Sequence, residues 1–308
     1  MPVSDLRKKY GGNTFDAGLR MQQRSFEQRV ARYDSLDQHY TKGWLDFAIA
    51  GMYRRPALDT RTRLLVLVGQ YTMCRSHSAL EDTIRAAAAA GVAPREILET
   101  VLHCVIYGGY AVADPAIEVF HRVAGELNLL DGLRDSQLPL DGNDGRRKYE
   151  EESKTWHPAD VADPRFARLK ERHGWLAVGR GIALRPKHHL NVLAWLDALD
   201  SQFAGLWVKF CYQCMYTRGI VDDKTRLLCM VGDCLAIREE TQGRAHMRGS
   251  LRAGASVREV LEVILMSCVN FGMPTMMHAL ESYVEVLAED GRVAELGDLP
   301  ERVRTHAR

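Results

Sequence analysis

The chain contains one pattern twice, with the second copy displaced by 163 residues and no gap between matched positions. Repetition at a fixed register indicates one structural unit used twice. A chain of 308 residues is also longer than a single hydrophobic core usually serves. The matched positions include Trp44 with Trp207, Met52-Tyr53 with Met215-Tyr216, Asp59 with Asp222, Thr62-Arg63-Leu64-Leu65 with Thr225-Arg226-Leu227-Leu228, and Gly91 with Gly254.

The repeat divides the chain into a first domain at residues 1–130, a linker at 131–163 and a second domain at 164–308. The linker is rich in turn-forming and charged residues, as in Asp141-Gly142-Asn143-Asp144-Gly145. We therefore expect two similar domains joined by a surface segment.

Each copy carries the start and stop signals of helices. Asp59 and Asp222 are N-cap residues in front of apolar segments. Pro94 suits the first turn of a helix, and Gly91 and Gly254 suit positions just beyond a helix end. Strand-like alternation is absent from the sequence. The prediction is an all-α fold of two tandem helical bundles.

Composition excludes several classes of function. The chain has 41 basic and 40 acidic residues, which gives no electrostatic basis for binding nucleic acid or an anionic membrane. No segment approaches the roughly 20 apolar residues of a membrane span. The N-terminus lacks the pattern of a signal peptide. The 7 cysteines are an odd number and lie mostly among apolar residues, which favours reduced thiols and a cytoplasmic protein.

Motifs in both copies resemble the carboxymuconolactone decarboxylase family, which includes the alkylhydroperoxidase D-type thiol peroxidases. The first copy has Arg54-Arg55-Pro56-Ala57-Leu58-Asp59-x-x-Thr62-Arg63, and the second has Asp222-x-x-Thr225-Arg226. The second copy continues with His246-x-x-x-Ser250-x-x-x-Gly254 and Phe271-Gly272-Met273-Pro274. The resemblance implies the helical fold of that family, used here in tandem.

The peroxidase branch of the family implies Glu-x-x-Cys-x-x-Cys-x-x-x-His, and this dithiol is missing. With His246 as the anchor, the cysteine positions hold Glu239 and Gln242. Thiol peroxidase chemistry needs an attacking and a resolving thiol, so it is not expected at this motif. Cys211-x-x-Cys214 is a separate pair on the preceding helix, for which buried packing is the favoured interpretation and a redox role the alternative.

Glu239, Gln242 and His246 are spaced i, i+3 and i+7, which places them on one face of a helix. Their spacing alone also fits a half-buried structural face, and the family match at His246 favours function. Arg238, which has a twin in Arg75, either binds a substrate carboxylate or, as the favoured interpretation, forms a structural ion pair. His278 either faces the same cavity or is a capping or surface residue.

The resemblance and these residues together predict a cofactor-independent and metal-independent lyase or isomerase of aromatic-compound catabolism. Its substrate would be a small organic acid of lactone type, with His246 as proton donor, Glu239 as its partner, and Gln242 or an arginine as anchor. The first domain is expected to be degenerate. The alternatives are a peroxidase using Cys211 and Cys214, or a non-catalytic binding or assembly protein. The family resemblance also implies a homo-oligomer, with a trimer favoured.

Overall fold

The computed structural model describes residues 3–137 and 161–297, and all regular structure within them is helical. The predicted all-α class is confirmed. None of the described helices has the length and apolar character needed to cross a membrane. The first half contains α1 (Val3–Tyr10), α2 (Gly12–Leu36), α3 (Gln38–Trp44), a π-helix (Leu45–Met52), α4 (Thr60–Met73), α5 (His77–Ala89), α6 (Pro94–His103), α7 (Val105–Gly108), α8 (Tyr110–Glu126) and α9 (Leu130–Asp135).

The second half repeats this order from residue 164 onward. The segment 138–160, which holds most of the predicted linker, lies outside the described residues. The second half contains α10 (Pro164–His173), α11 (Trp175–Leu184), α12 (Pro186–Leu199), α13 (Ser201–Val208), a second π-helix (Lys209–Met215), α14 (Asp223–Ile237), α15 (Glu240–Arg252), α16 (Val257–Phe271), α17 (Met273–Glu289) and a 3-10 turn (Val293–Leu296).

The helix boundaries follow the capping residues seen in the sequence. The Asp59 carboxylate accepts a hydrogen bond from the backbone N–H of Thr62, and Asp222 caps α14 in the same way. Ser256 and Glu259 form a reciprocal capping box at the start of α16. The predicted helix starts at Asp59 and Asp222 are confirmed, because each cap satisfies a backbone donor that the first turn leaves free.

The two halves make the same contacts at the same register. Arg61 pairs with Glu96 in the first half, and Lys224 pairs with Glu259 in the second. One contact is preserved with its charges exchanged: the Glu81–Arg122 pair has the Arg244–Glu285 pair as its counterpart. The repeat in the sequence is therefore also a repeat of tertiary structure at these pairs of helices.

The halves pack against each other through α4 and α14, beside two buried carboxylates. Glu99 of the first half accepts hydrogen bonds of 2.7 Å from Arg218 and Arg226 of the second half. Glu262 of the second half accepts hydrogen bonds from Arg55 and Arg63 at 2.7 and 3.3 Å. One continuous apolar core contains residues of both halves, from Leu6 to Leu296. The boundaries of the two domains, which were inferred from the sequence repeat, remain a prediction.

Candidate active site

His246 lies on α15 with its side chain fully buried. Its Nε2 atom is hydrogen-bonded to the hydroxyl of Tyr107, which belongs to α7 of the first half. The two rings meet edge to face, with centroids 5.2 Å apart. A second contact to Nε2 comes from Nη1 of Arg185 at 3.4 Å. The imidazole therefore lies between a phenol of one half and a guanidinium of the other.

Arg185 is the central cation of this cluster. It precedes Pro186 at the N-terminus of α12, and its side chain turns into the interior, where the residue is 5% exposed. Its Nη1 atom donates to Gln242 Oε1 at 2.9 Å and to the Tyr107 hydroxyl at 3.3 Å. Its Nη2 atom donates to the hydroxyl of Tyr212 from the second π-helix.

No carboxylate pairs with Arg185 among the described residues, and its Nε atom is buried without a hydrogen-bond partner. All of its partners in the cluster are neutral groups. An uncompensated buried charge costs free energy, because neutral dipoles replace only part of the hydration that is lost. The cluster therefore contains a buried positive charge that no carboxylate of the described residues balances.

Burial and charge fix the protonation of the pair next to Arg185. Burial, followed by the Arg185 cation, lowers the pKa of His246 well below its ordinary value of 6.5. Burial raises the pKa of Tyr107 well above 10.0. A guanidinium can only donate, so the contact with Arg185 favours the tautomer in which Nε2 of His246 accepts and the proton is on Nδ1, a buried atom with no hydrogen-bond partner among the described residues. The Tyr107 hydroxyl then donates to Nε2, which aligns one transferable proton with one base.

Gln242 and His188 form the less buried edge of the cluster. Oε1 of Gln242 accepts from Arg185 and also from Nε2 of His188 at 3.0 Å. Burial and the Arg185 charge lower the pKa of His188. Behind this edge, the ring of His189 packs against Tyr212 with centroids 4.3 Å apart, and Tyr212 stacks on Tyr216. The cluster thus has an aromatic back wall and a polar front.

The structure brings two of the three predicted motif residues together, and the third is elsewhere. Gln242 and His246 both contact Arg185, whereas Glu239 lies outside α15 as its N-cap and accepts a hydrogen bond from the Gln242 backbone N–H. Arg238, in a left-handed conformation with φ of 57°, ends α14 and separates the two helices. The helix begins one residue after Glu239, so this carboxylate caps α15, and its role as partner of His246 stays a prediction.

Arg238, Glu239 and His278 line a different feature, a groove of about 200 Å³ between α14, α15 and α17. Arg238 is exposed and forms no ion pair within the described residues, so the predicted structural pair is not present. Its twin Arg75 has the same left-handed backbone, which shows that the two copies share a turn. His278 is an exposed surface residue 3.6 Å from Glu281.

Cys234 is the groove residue that is affected electrostatically by the buried cluster. Cys234 lines the groove, is fully buried, and lies near enough to Arg185 for that cation to counteract the effect of burial on the thiol pKa.

The Cys211-x-x-Cys214 pair does not have the properties of a redox centre. Cys211 is buried in the apolar core of the second half, and Cys214 is exposed on the surface. Burial raises the pKa of Cys211 to about 12, so the thiol stays protonated at neutral pH. A nucleophilic cysteine needs the opposite environment, because the thiolate is the reactive form.

The equivalent positions of the first half carry different chemistry. Residues displaced by 163 from Arg185, His188, Gln242 and His246 are Gln22, Ser25, Ala79 and Thr83. The position of Tyr107 is taken by Asn270 of the second half, which accepts hydrogen bonds from Tyr53 and Tyr71 at 3.2 and 2.9 Å. This counterpart lacks the imidazole, and its cation is Arg29, which donates to Gln22 and Ser25 and has the Asp82 carboxylate 3.7 Å away. The two sets of positions are therefore equivalent in the repeat but carry different side chains.

Sequence analysis missed Arg185, Tyr107, Tyr212 and His188. Two signals were present for them: Arg185 follows the apolar helix α11 directly and precedes a proline, and Tyr107 precedes Gly108-Gly109. An arginine or tyrosine next to an apolar helix and a helix break is a candidate for a buried polar role.

Comparison with known proteins agrees with this architecture. The model of the carboxymuconolactone decarboxylase family matches residues 38–122 and 201–284, which together make up more than half of the chain. The protein belongs to the carboxymuconolactone decarboxylase family, with two copies of its domain. Over 76 residues it is 36% identical to an uncharacterised 15.0 kDa protein from the nqo9-nqo10 intergenic region of Paracoccus denitrificans. That match covers 24% of this chain and 57% of the relative, so the chain spans little more than half of the relative's length.

Proposed function

We propose that the protein is a cofactor-independent enzyme that binds a small organic acid beside Arg185 and transfers a proton in it through Tyr107 and His246. The observation that carries this proposal is the buried guanidinium of Arg185 with only neutral partners. A bound carboxylate or enolate would supply the missing negative charge and could accept two parallel hydrogen bonds from the guanidinium. The partly exposed residues Tyr107, His188 and Gln242 form the side from which a ligand enters.

The proton-transfer roles differ from those expected from the sequence alone. A neutral His246 with a low pKa is a base in the free enzyme, and Tyr107 is the group that holds a transferable proton. When an anionic ligand neutralises Arg185, the second-largest of the causes that lower the His246 pKa is removed, and burial remains the largest. The imidazole then becomes a better proton acceptor in the complex than in the free protein.

Decarboxylation or isomerisation of a lactone-type acid fits these groups. Loss of carbon dioxide next to an unsaturated carbonyl leaves an enolate, which Arg185 and the Tyr212 hydroxyl would stabilise through hydrogen bonds. The Tyr107–His246 pair would then deliver a proton to carbon. Isomerisation uses the same pair in sequence, because His246 removes a proton and the pair returns one at another carbon. The family name makes carboxymuconolactone the first substrate to try.

The test is a comparison of turnover in wild type and His246→Gln, with carboxymuconolactone as substrate and carbon dioxide release as the readout. We expect kcat to fall by at least about 100-fold in the variant. His278→Gln is the matched control, since this histidine is exposed and lies in the groove. Turnover unchanged in His246→Gln would overturn the proposal. Peroxide consumption that requires a dithiol and is lost in Cys214→Ser would replace it with thiol chemistry.

We also propose that the protein is a homo-oligomer, with a trimer as the favoured state. Large apolar side chains are exposed at equivalent positions of the two halves, such as Tyr40 and Phe203, or Phe47 and Phe210. Apolar surface that occurs twice at equivalent positions suits a repeated contact between chains. Sedimentation equilibrium should give three times the chain mass of 34.7 kDa. Phe210→Lys should shift the protein toward monomer, and a monomeric wild type would contradict this state.

A further inference from the structure

A second cluster of reactive side chains lies in the interior, where α6 of the first half meets α14 of the second. His103 and Cys104 are consecutive residues at the end of α6, and Asp233 comes from α14. The Nε2 atom of His103 is 3.0 Å from Oδ2 of Asp233. One donor atom from each of the three residues lies within 4.8 Å of the others, and all three residues are fully buried.

These side chains are poorly satisfied by protein hydrogen bonds. Both ring nitrogens of His103 and both carboxylate oxygens of Asp233 are buried with no partner in hydrogen-bonding geometry. Buried polar atoms are nearly always paired in folded proteins, so four such atoms in two adjacent residues require an explanation. The Nε2 and Oδ2 atoms approach to 3.0 Å, the distance of an ion pair, and this separation also suits two ligands of one metal ion.

We propose that His103, Cys104 and Asp233 bind one divalent metal ion of the zinc class and that this ion holds the two halves together. Imidazole nitrogen, thiolate sulfur and carboxylate oxygen are the three donor types that zinc accepts in proteins. One thiolate and one carboxylate with a neutral imidazole balance a charge of two, which leaves the interior neutral.

The repeat itself shows that the fold does not require this set of residues. The positions displaced by 163 residues from His103, Cys104 and Asp233 in the other half hold Met266, Ser267 and Gln70. That half packs the same helices with a set that has no imidazole, thiol or carboxylate. The combination of His, Cys and Asp is therefore a property of one side of the molecule, and a role beyond packing accounts for it.

The backbone makes room for the carboxylate at this point. A Cβ added to Gly69 of α4 would lie 2.3 Å from Oδ1 of Asp233. Only a glycine allows α4 to lie this close to the carboxylate. The sulfur of Cys104 is directed toward the backbone carbonyls of Gly69 and Thr100, at 3.9 and 3.3 Å. The three ligands thus come from two helices, α6 of the first half and α14 of the second, and α4 packs beside them through Gly69.

The metal site shares no residue with the proposed acid–base site, although the two are neighbours, since Tyr107 packs against the cluster that contains Cys104. Its role would be structural, since all three ligands are enclosed. An ion in such a place enters before the halves close and contributes its binding free energy to folding.

The test is to express the protein in medium supplemented with zinc or cobalt and to measure metal content by mass spectrometry. We expect about one equivalent per chain. The cobalt protein should show thiolate-to-metal charge-transfer absorption and the visible bands of tetrahedral coordination. His103→Met, Cys104→Ser and Asp233→Gln each introduce the residue that the other half already carries at that position. Each should lower metal content by about 10-fold or more.

Cys211→Ser is the matched control, because it removes a buried thiol in the other core and should keep the metal. Circular dichroism shows whether each variant folds, and the cobalt spectrum of the wild type tests thiolate ligation without any substitution. A wild type that stays metal-free after supplementation would overturn the proposal and leave a buried histidine–aspartate pair. Full metal content in all three variants would overturn it as well.

Discussion

The hydroxyl of Tyr107 and the Nε2 atom of His246 form a hydrogen bond between the two halves of the chain. The phenol comes from α7 and the imidazole from α15, which are 139 residues apart in sequence. The sequence repeat defines an equivalent pair of positions on the other side of the molecule. That pair consists of Asn270, in place of Tyr107, and Thr83, in place of His246. The candidate site is therefore a joint product of both copies.

Tyr107→Phe removes the hydroxyl and keeps the ring against His246. We expect kcat for the organic acid to fall by about 10- to 100-fold, because the proton donor of the pair is lost. Stability should change by only about 1 kcal/mol, the typical value of one hydrogen bond. Tyr110→Phe is the control, since Tyr110 is 72% exposed. Steady-state kinetics and urea unfolding check both values, and equal kcat in the two variants would exclude Tyr107 from catalysis.

Arg185→Met separates binding from stability. The substitution should weaken binding of the acid by about 10- to 100-fold, the value of a charged hydrogen bond. The free protein should unfold with unchanged or higher free energy, because a buried charge without a counterion is removed. Calorimetric titration and urea unfolding measure the two quantities. Arg238→Met, which changes an exposed arginine of the groove, should alter neither, and tight acid binding by Arg185→Met would contradict the proposed anchor.

Acid should destabilise the protein through its buried histidines. Burial lowers the pKa of His189 from 6.5 to about 3, and it lowers the pKa of His246 in the same direction. Below pH 6.5 the unfolded chain binds protons that the folded state does not. The free energy of unfolding that depends on these two histidines being neutral is therefore fully present above pH 6.5. It decreases as the pH falls toward the pKa values of the folded state. Each histidine contributes a slope of about 1.4 kcal/mol per pH unit at most.

The check is the free energy of urea unfolding at several values between pH 7.5 and pH 5. His189→Gln should reduce the slope by the share of one histidine, whereas His121→Gln on the surface should leave it unchanged. Carboxylates with lowered pKa values also stabilise the folded state, but this stabilisation is lost at lower pH than that of the histidines. For Glu81 it is lost as the pH falls from 4.5 to about 2, which is below the pH range of this test. A flat profile down to pH 5 would show that these imidazoles can be protonated in place.

The paired carboxylates between the halves should dominate stability. Glu99→Gln leaves Arg226, which is 1% exposed, without its counterion. We expect a loss of about 3–5 kcal/mol in the free energy of unfolding. Glu262→Gln should cause a similar loss, because Glu262 is the residue of the second half that is equivalent to Glu99. Glu285→Gln removes an exposed pair and should cost about 1 kcal/mol or less. Equal effects in all three would show that these interior contacts are no stronger than surface ones.

The sequence predicted the fold better than the site, for physical reasons. Caps and helix-ending glycines are local, so Asp59, Asp222 and Gly254 could be placed from a few neighbours. The helix break at Arg238 could not be predicted, because arginine rarely adopts the left-handed backbone conformation that it has there. The contact of His246 with Arg185 spans 61 residues and depends on how α12 and α15 pack. Periodicity on one helix carries no information on that contact.

Fusion of two copies in one chain has a consequence for how such a centre can evolve. A symmetric dimer of a single-domain protein must place the same side chain at both equivalent sites, since one codon specifies both. Here tyrosine at 107 and asparagine at 270 are encoded separately, as are histidine at 103 and methionine at 266. Because the two copies are covalently linked, one residue of each equivalent pair can acquire a functional side chain while the other keeps a structural one.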